Sequence, residues 1–154
     1  MKVAFVEPFV KAARDVFQLM MDLDAQRGDL RASEQLVPSK DASVAIGVTG
    51  DLLGSILYSF PRQMTLEMVE IMAGMPVDEL DSFVISALGE VANIISGNAM
   101  AYLNSANYMC NINPPQIVLG QETALEMVTR KALIVPLRTR IGEFDIFITL
   151  KEQA

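Results

Sequence analysis

Residues 80–106 read LDSFVISALGEVANIISGNAMAYLNSA, and the spacing of their apolar positions predicts one long helix. At about 1.5 Å per residue this helix is roughly 40 Å long. On a helical wheel one side is apolar and consists of Val84, Leu88, Val91, Ile95, Ala99 and Tyr102. The opposite side is a stripe of mostly small residues: Ser82, Ser86, Gly89, Glu90, Asn93, Ser96 and Gly97. The long polar side chains of this stripe belong to Glu90 and Asn93, whose i, i+3 spacing makes them neighbours on the helix surface.

The two glycines of the stripe need an explanation. Each costs the helix roughly 0.5–1 kcal/mol relative to alanine, and a purely solvated face would more often carry Lys, Glu or Ala. We interpret the stripe as a surface that something approaches closely, with a carboxylate and an amide directed at it. From spacing and composition alone, an ordinary solvated face with glycines packed under a crossing element is the favoured alternative.

Length and composition indicate one globular domain over residues 1–154. Half of the residues, 51%, are apolar, which excludes a disordered chain. No uninterrupted apolar run reaches the roughly 18–20 residues of a membrane-spanning helix, and the first residues are too polar for a secretory signal. The single cysteine, Cys110, excludes an internal disulfide and fits a reducing compartment. We therefore expect a cytoplasmic protein that does not enter a membrane.

Histidine is absent from the sequence. This excludes Ser–His and Cys–His nucleophile systems and zinc sites with histidine ligands, and one cysteine cannot form a thiolate cluster. Any catalysis must therefore use carboxylates, amides and positioning, or groups that a partner supplies.

The net charge of −7 is unevenly distributed. No Lys or Arg lies between Gln63 and Thr129, where there are eight acidic residues, whereas the rest of the chain has eleven acidic and twelve basic residues. A nucleic-acid binder needs a basic surface, so this distribution argues against nucleic acid. It favours a partner that presents Lys or Arg, although an acidic surface kept for solubility is the alternative.

The remaining segments predict an α+β fold in which helices pack on one face of an antiparallel sheet. We predict helices over residues 8–24 and 64–73, the second closed by Gly74, and strands over residues 34–37, 43–48, 52–60, 108–112, 116–119, 132–138 and 143–150. Residues 120–131 are predicted as a turn or short helix. Asp78 is the predicted N-cap of the long helix, and Pro136 predicts an edge position or a bulge. The ten methionines are interpreted as adaptable packing rather than as a methionine-rich binding groove.

The long helix resembles a known signature. The segment Ser86-x3-Glu90-x2-Asn93-Ile-Ile-Ser-Gly97 is similar to the signature helix of the CheC, CheX and FliY phosphatases of bacterial chemotaxis. In that family the pattern is Asp or Ser, three residues, Glu, two residues, Asn, an apolar pair and often Gly. The order of helices and strands is similar over essentially the whole chain, and the single copy of the signature resembles CheX.

This resemblance implies hydrolysis of the aspartyl phosphate of a CheY-type response regulator. By the same resemblance Asn93 orients the attacking water and Glu90 pairs with a lysine of the regulator. Ser86, Gly89 and Gly97 would let the two backbones come close. The resemblance also implies that Mg²⁺ is supplied by the regulator, so we predict no metal ligands in this chain. It further implies a homodimer that joins sheet edges, for which we select the strand at residues 132–138 because it is apolar and carries few charges.

Two other function classes remain open at this point. A non-catalytic adaptor would bind a response regulator or a flagellar switch component without hydrolysing anything. A sensory or scaffold domain would dimerise and bind a small molecule through its acidic surface.

Overall fold

The computed structural model describes residues 2–33, 40–120 and 132–153. After a short 3-10 turn at Val3–Phe5, the elements are α1 (Glu7–Met21), β1 (Gln26–Arg27), β2 (Arg31–Ser33), β3 (Ala42–Gly50), β4 (Leu52–Phe60), α2 (Arg62–Ala73), α3 (Ser82–Ser105), β5 (Cys110–Ile112), β6 (Gln116–Leu119), β7 (Ala132–Thr139) and β8 (Gly142–Glu152). The predicted α+β class is confirmed, as are both shorter helices and the closure of α2 by Gly74 in a left-handed conformation. The predictions for residues 34–37 and 121–131 lie outside the described residues.

The described strands form one antiparallel sheet of eight strands in the order β1-β7-β8-β4-β3-β5. In addition, β2 pairs with β7 beside β1, and β6 pairs with β3 beside β5. The predicted hairpin of β3 and β4 turns at Gly50, whose φ of 110° suits glycine. The long central strands β3, β4 and β8 give the sheet a broad apolar face that a helix can cover.

The main core lies between this face and helices α1 and α3. On β8 alternate residues face the helices, since Phe144, Ile146 and Ile148 are all buried in the main core. Phe144 stacks between Phe17 of α1 and Phe60 of β4, with ring centroids 4.9 and 4.8 Å away. The opposite face of the sheet carries a smaller buried cluster: Ala45, Leu57, Ala132, Ile134 and Phe147. This second cluster makes β8 more buried than the half-buried strand that its alternation predicted.

The N-cap of α3 is Asp81, not the predicted Asp78. The Val84 backbone N–H donates to the Asp81 carboxylate at 3.0 Å, so the helix begins at Ser82. This satisfies one of the free backbone donors of the first turn. The first helical residue is therefore two positions later than the start of the quoted stretch.

The predicted edge position of β7 is wrong. One side of β7 pairs with β8, and the other side pairs with the short strands β1 and β2. Pro136 lies opposite the gap between these two strands, where its carbonyl accepts from the Gly28 N–H at 2.9 Å. A side chain on Gly28 would meet the Pro136 ring, because a Cβ there would be 2.9 Å from its Cγ. The proline thus marks an interruption of the neighbouring strand rather than an edge.

By length and composition α3 could span a membrane, because its 24 residues include an 18-residue window with a mean hydropathy of 1.3. Half of that window is buried inside the fold. Buried core helices of soluble proteins have the same composition, and α3 is a core helix of this domain. The apolar side of α3 is therefore buried against the sheet and α1.

Candidate functional site

A buried hydrogen bond helps to hold α3 on the sheet. The hydroxyls of Tyr58 on β4 and Ser96 on α3 are 2.7 Å apart, and both residues are fully buried. Burial raises the pKa of the Tyr58 phenol, against the opposing effect of the Ser96 hydrogen bond, so this tyrosine stays neutral. Because each hydroxyl is the other's polar partner in the core, the pair favours one position of α3 over β4. Ser96 belongs to the small-residue stripe, and its side chain faces inward.

Glu90 and Asn93 lie on the outward side of α3. Glu90 is exposed and Asn93 is partly buried. No hydrogen bond or ion pair joins either side chain to another residue within the described ranges. Their i, i+3 spacing places the Cβ atoms about 5–6 Å apart on one helix face. The described part of the fold thus leaves a carboxylate and an amide unpaired, side by side, on a helix whose other side is fixed in the core.

The three residues predicted to admit a partner backbone have different environments. Ser86 and Gly97 are exposed, and a Cβ added at Gly97 would have no heavy atom within 4 Å. Gly89 is buried, and a Cβ there would lie 3.2 Å from Cδ1 of Ile117 on β6. We therefore correct the prediction for Gly89, since its close neighbour belongs to the same chain. Ser86, Glu90, Asn93 and Gly97 remain on the outward side of α3.

The sequence interpretation missed an open groove beside Glu90, here called the α2–α3 groove. It is lined by Met20, Val69, Met72, Ala73, Phe83, Ala87, Glu90 and Val91. Phe83 lies seven residues before Glu90, which is two helical turns along the same side, and is 52% exposed. The sequence signal for this groove was Phe83, a large aromatic residue on the polar side of the helical wheel. Met20 and Met72 also show that two of the methionines line a surface groove.

The donor set of the site does not suit a metal ion. Mg²⁺ is usually held by carboxylate oxygens together with phosphate oxygens or waters, and Glu90 is the one carboxylate on this part of α3. Within residues 2–33, 40–120 and 132–153, no group of three or more Asp, Glu or Cys side chains converges on a point. The arrangement can orient a water and attract a cation, but it needs a partner to supply the rest of a reaction centre.

Comparisons with known proteins identify the family of this chain. The family model described as chemotaxis phosphatase CheX matches residues 42–138, a segment that contains all of α3. The CheY-P phosphatase CheX of Thermotoga maritima is 31% identical over 112 residues, which is 69% of each chain.

Solved structures extend the similarity to nearly the whole chain. A chemotaxis protein CheX from Desulfovibrio desulfuricans is 25% identical with a TM-score of 0.85, and the match covers 97% of this chain and 100% of that one. The CheX of a CheX–CheY–BeF3–Mg²⁺ complex from Borrelia burgdorferi is 26% identical with a TM-score of 0.80, over 98% and 100% of the two chains. The fold, the unpaired residues of α3 and the family match lead to one conclusion: this chain belongs to the CheX family of chemotaxis phosphatases.

Proposed function

We propose that this CheX-family phosphatase hydrolyses the aspartyl phosphate of a CheY-type response regulator, with the outward side of α3 inserted at the regulator's phosphorylation site. The observation that carries the proposal is the unpaired Glu90 and Asn93 pair on a helix that is fixed by its buried side. A rigid helix can deliver two side chains to a partner with little further loss of conformational freedom. The Thermotoga relative, named as a CheY-P phosphatase, supports the same reaction.

Asn93 is proposed to position the attacking water. An amide side chain offers both a donor and an acceptor, so one asparagine can fix the orientation of a water in line with the scissile P–O bond. The water oxygen bonds to phosphorus as the bond from phosphorus to the regulator's aspartate oxygen breaks. The products are inorganic phosphate and the free aspartate carboxylate, and the proton of the water leaves with phosphate or passes to solvent. Phosphoryl transfer needs this positioning more than covalent help.

Glu90 is proposed to pair with a lysine of the regulator and so to set the docking register. The side chain is exposed and lacks a partner within the described chain, so no internal ion pair has to break first. On docking, this ion pair would be buried away from water. The geometry of a buried ion pair affects binding more than the geometry of an exposed one. Gly97, one turn after Asn93, leaves room for the partner backbone, and the small, exposed Ser86, one turn before Glu90, is proposed to do the same.

Mg²⁺ is proposed to bind to the regulator and not to this chain. The donor set on α3 lacks the carboxylates for a site of its own, and the Borrelia relative was solved with CheY, BeF3 and Mg²⁺ together. The ion would neutralise charge on the phosphoryl oxygens during transfer. Nucleic acid is not a proposed partner, because the sequence between Gln63 and Thr129, which includes α3, contains no Lys or Arg. A cytoplasmic site of action fits the single free cysteine, Cys110.

We also propose a homodimer joined at sheet edges, with both α3 helices left exposed. Since β7 is covered on both sides, the contact must use the outer strands of the sheet. In the described part of the chain these are β1 and β2 at one end, and β5 and β6 at the other. Sedimentation velocity at micromolar protein concentration tests the proposed homodimer. A monomer at that concentration would contradict it.

The decisive experiment for the function is the decay of a phosphorylated CheY-type regulator from the same organism, followed with and without this protein. Catalytic amounts of the protein should accelerate the decay, and the rate should rise in proportion to the protein concentration. Chelation of Mg²⁺ should abolish this acceleration. Binding without acceleration would instead establish the adaptor function.

A further inference from the structure

The α2–α3 groove lies directly beside the proposed catalytic pair. Its floor consists of the buried Val69 and Val91, and Met20 and Met72 line its sides. Phe83 and Glu90 project at its rim from the outward side of α3. Among the lining residues that the structure describes only Glu90 is charged, so the groove is an apolar surface that continues from the proposed docking site.

The size of the groove fits one large apolar side chain. Its volume is about 190 Å³. A cavity of about 150 Å³ lined by aliphatic and aromatic residues binds a benzene molecule, so this volume matches a Leu, Met or Phe side chain. The flexible thioethers of Met20 and Met72 can adjust to the shape of the inserted group.

We propose that the α2–α3 groove accepts one apolar side chain of the phosphorylated regulator, adjacent in space to the cation that pairs with Glu90. This inference rests on the proposed function, because it takes the occupant from the partner that docks on α3. Glu90 is shared by the groove and the docking site, so a regulator that reaches Glu90 also covers the groove. The exposed part of Phe83 is then buried together with the inserted side chain.

The chemistry of the rim favours a regulator over other occupants. An unpaired carboxylate at the edge of an apolar groove suits a segment in which an apolar side chain lies next to Lys or Arg. A purely apolar small molecule would leave the Glu90 carboxylate without a counter-charge, and in a desolvated rim this is unfavourable. The groove therefore provides affinity and selectivity among regulators, while Asn93 provides the rate.

Two variants and one control test the groove. Phe83→Ser removes the aromatic rim, and Ala73→Leu fills the groove from α2 while leaving the sequence of α3 unchanged. Leu19→Ser is the control, because Leu19 is 86% exposed and does not line the groove. The probe is the CheY-type regulator from the same organism, loaded with beryllofluoride and Mg²⁺. Titration gives Kd, and the decay assay gives KM and kcat.

We expect Phe83→Ser and Ala73→Leu each to raise Kd and KM about tenfold, or about 1.4 kcal/mol, with kcat and the melting temperature unchanged. Leu19→Ser should behave as wild type. If both groove variants bind the loaded regulator as tightly as wild type, the groove has another occupant and the inference is overturned. If wild type binds but does not accelerate decay, the proposed function fails, while the Kd values still decide the groove.

Discussion

Gly89 and Gly97 are eight residues apart on one helix, and the structure gives them opposite surroundings. Gly89 is pressed against Ile117 of β6, whereas Gly97 faces open space. The same division separates Ser96, which is hydrogen-bonded to Tyr58 in the core, from Glu90 and Asn93 on the outward side. What the sequence presents as one stripe of small and polar residues is therefore two surfaces. The inner one fixes α3 on the sheet, and the outer one is the surface that we propose binds the regulator.

This division shows how one helix can pack in the core and also present residues at the surface. The inner surface must be close-packed, because α3 crosses the sheet and any shift of the helix would move Asn93 with it. In the proposed mechanism the outer surface must stay unpaired, because an internal partner for Glu90 or Asn93 would compete with the regulator. Substitutions that remove a buried contact or hydrogen bond from the inner surface should lower stability, and those that alter the outer surface should change catalysis or binding.

The largest effect is expected at Asn93. Asn93→Ala should lower kcat on the order of 10²–10³-fold, or roughly 3–4 kcal/mol, because a single positioning donor acts mainly in the transition state. Asn93→Asp should be similarly poor, since it loses the amide donor and places negative charge beside a phosphoryl group. The Kd for the beryllofluoride-loaded regulator should change little in Asn93→Ala. A folded Asn93→Ala variant with wild-type decay kinetics would rule out this mechanism.

A smaller effect, on binding, is expected at Glu90. Glu90→Lys should weaken binding by roughly 2–3 kcal/mol and Glu90→Ala by less, because only the lysine places like charge against the regulator's cation. Wild-type affinity should also fall as salt rises. Titrations at two ionic strengths measure both effects, with the unfolding free energy as a check on the fold. Equal Kd values for the two variants would show that Glu90 has no cationic partner.

On the inner surface, Tyr58→Phe should cost about 1–2 kcal/mol of unfolding free energy, because it leaves the buried Ser96 hydroxyl without its partner. Ser96→Ala should cost a similar amount. The double variant should be less destabilised than the sum of the two, since no polar group is then left unsatisfied. Denaturant unfolding gives these values, and kcat of the folded Tyr58→Phe variant should remain near that of wild type. Strict additivity would mean that the hydroxyls do not interact.

Local patterns in the sequence predicted much of this fold. The period of the apolar residues predicted α1, α2 and α3, and alternation and turn residues predicted β3 to β8 within a few residues. The wheel also identified Glu90 and Asn93 as the long polar side chains of α3. These features depend on neighbours along the chain, which a sequence displays directly.

Features that depend on distant segments were not predictable in the same way. Whether Gly89 faces a partner or Ile117 depends on where β6 crosses α3. Pro136 predicted an edge position or a bulge, because the sequence could not show that β1 and β2 would pair on either side of it. The α2–α3 groove combines residues of three helices, so its lining could not be assembled from a single pattern. The preference for Asp81 over Asp78 as N-cap is local, but both aspartates satisfy the same composition rule.

The smallest effect separates the two glycines themselves. Alanine removes the extra backbone freedom of glycine in the unfolded chain, so Gly97→Ala, whose Cβ meets nothing, should raise the unfolding free energy by roughly 0.5–1 kcal/mol. Gly89→Ala should gain less, because its Cβ lies 3.2 Å from Ile117 and that side chain must move by a few tenths of an ångström. In the decay assay the order should reverse. Gly97→Ala should raise KM, since its methyl group occupies the space of the approaching partner backbone, and Gly89→Ala should leave KM unchanged. Unfolding curves and KM measured on the same two variants therefore test the division of α3 directly. If both variants have the wild-type KM, the partner contacts Glu90 and Asn93 without approaching the backbone at Gly97, and the outer surface ends at Asn93.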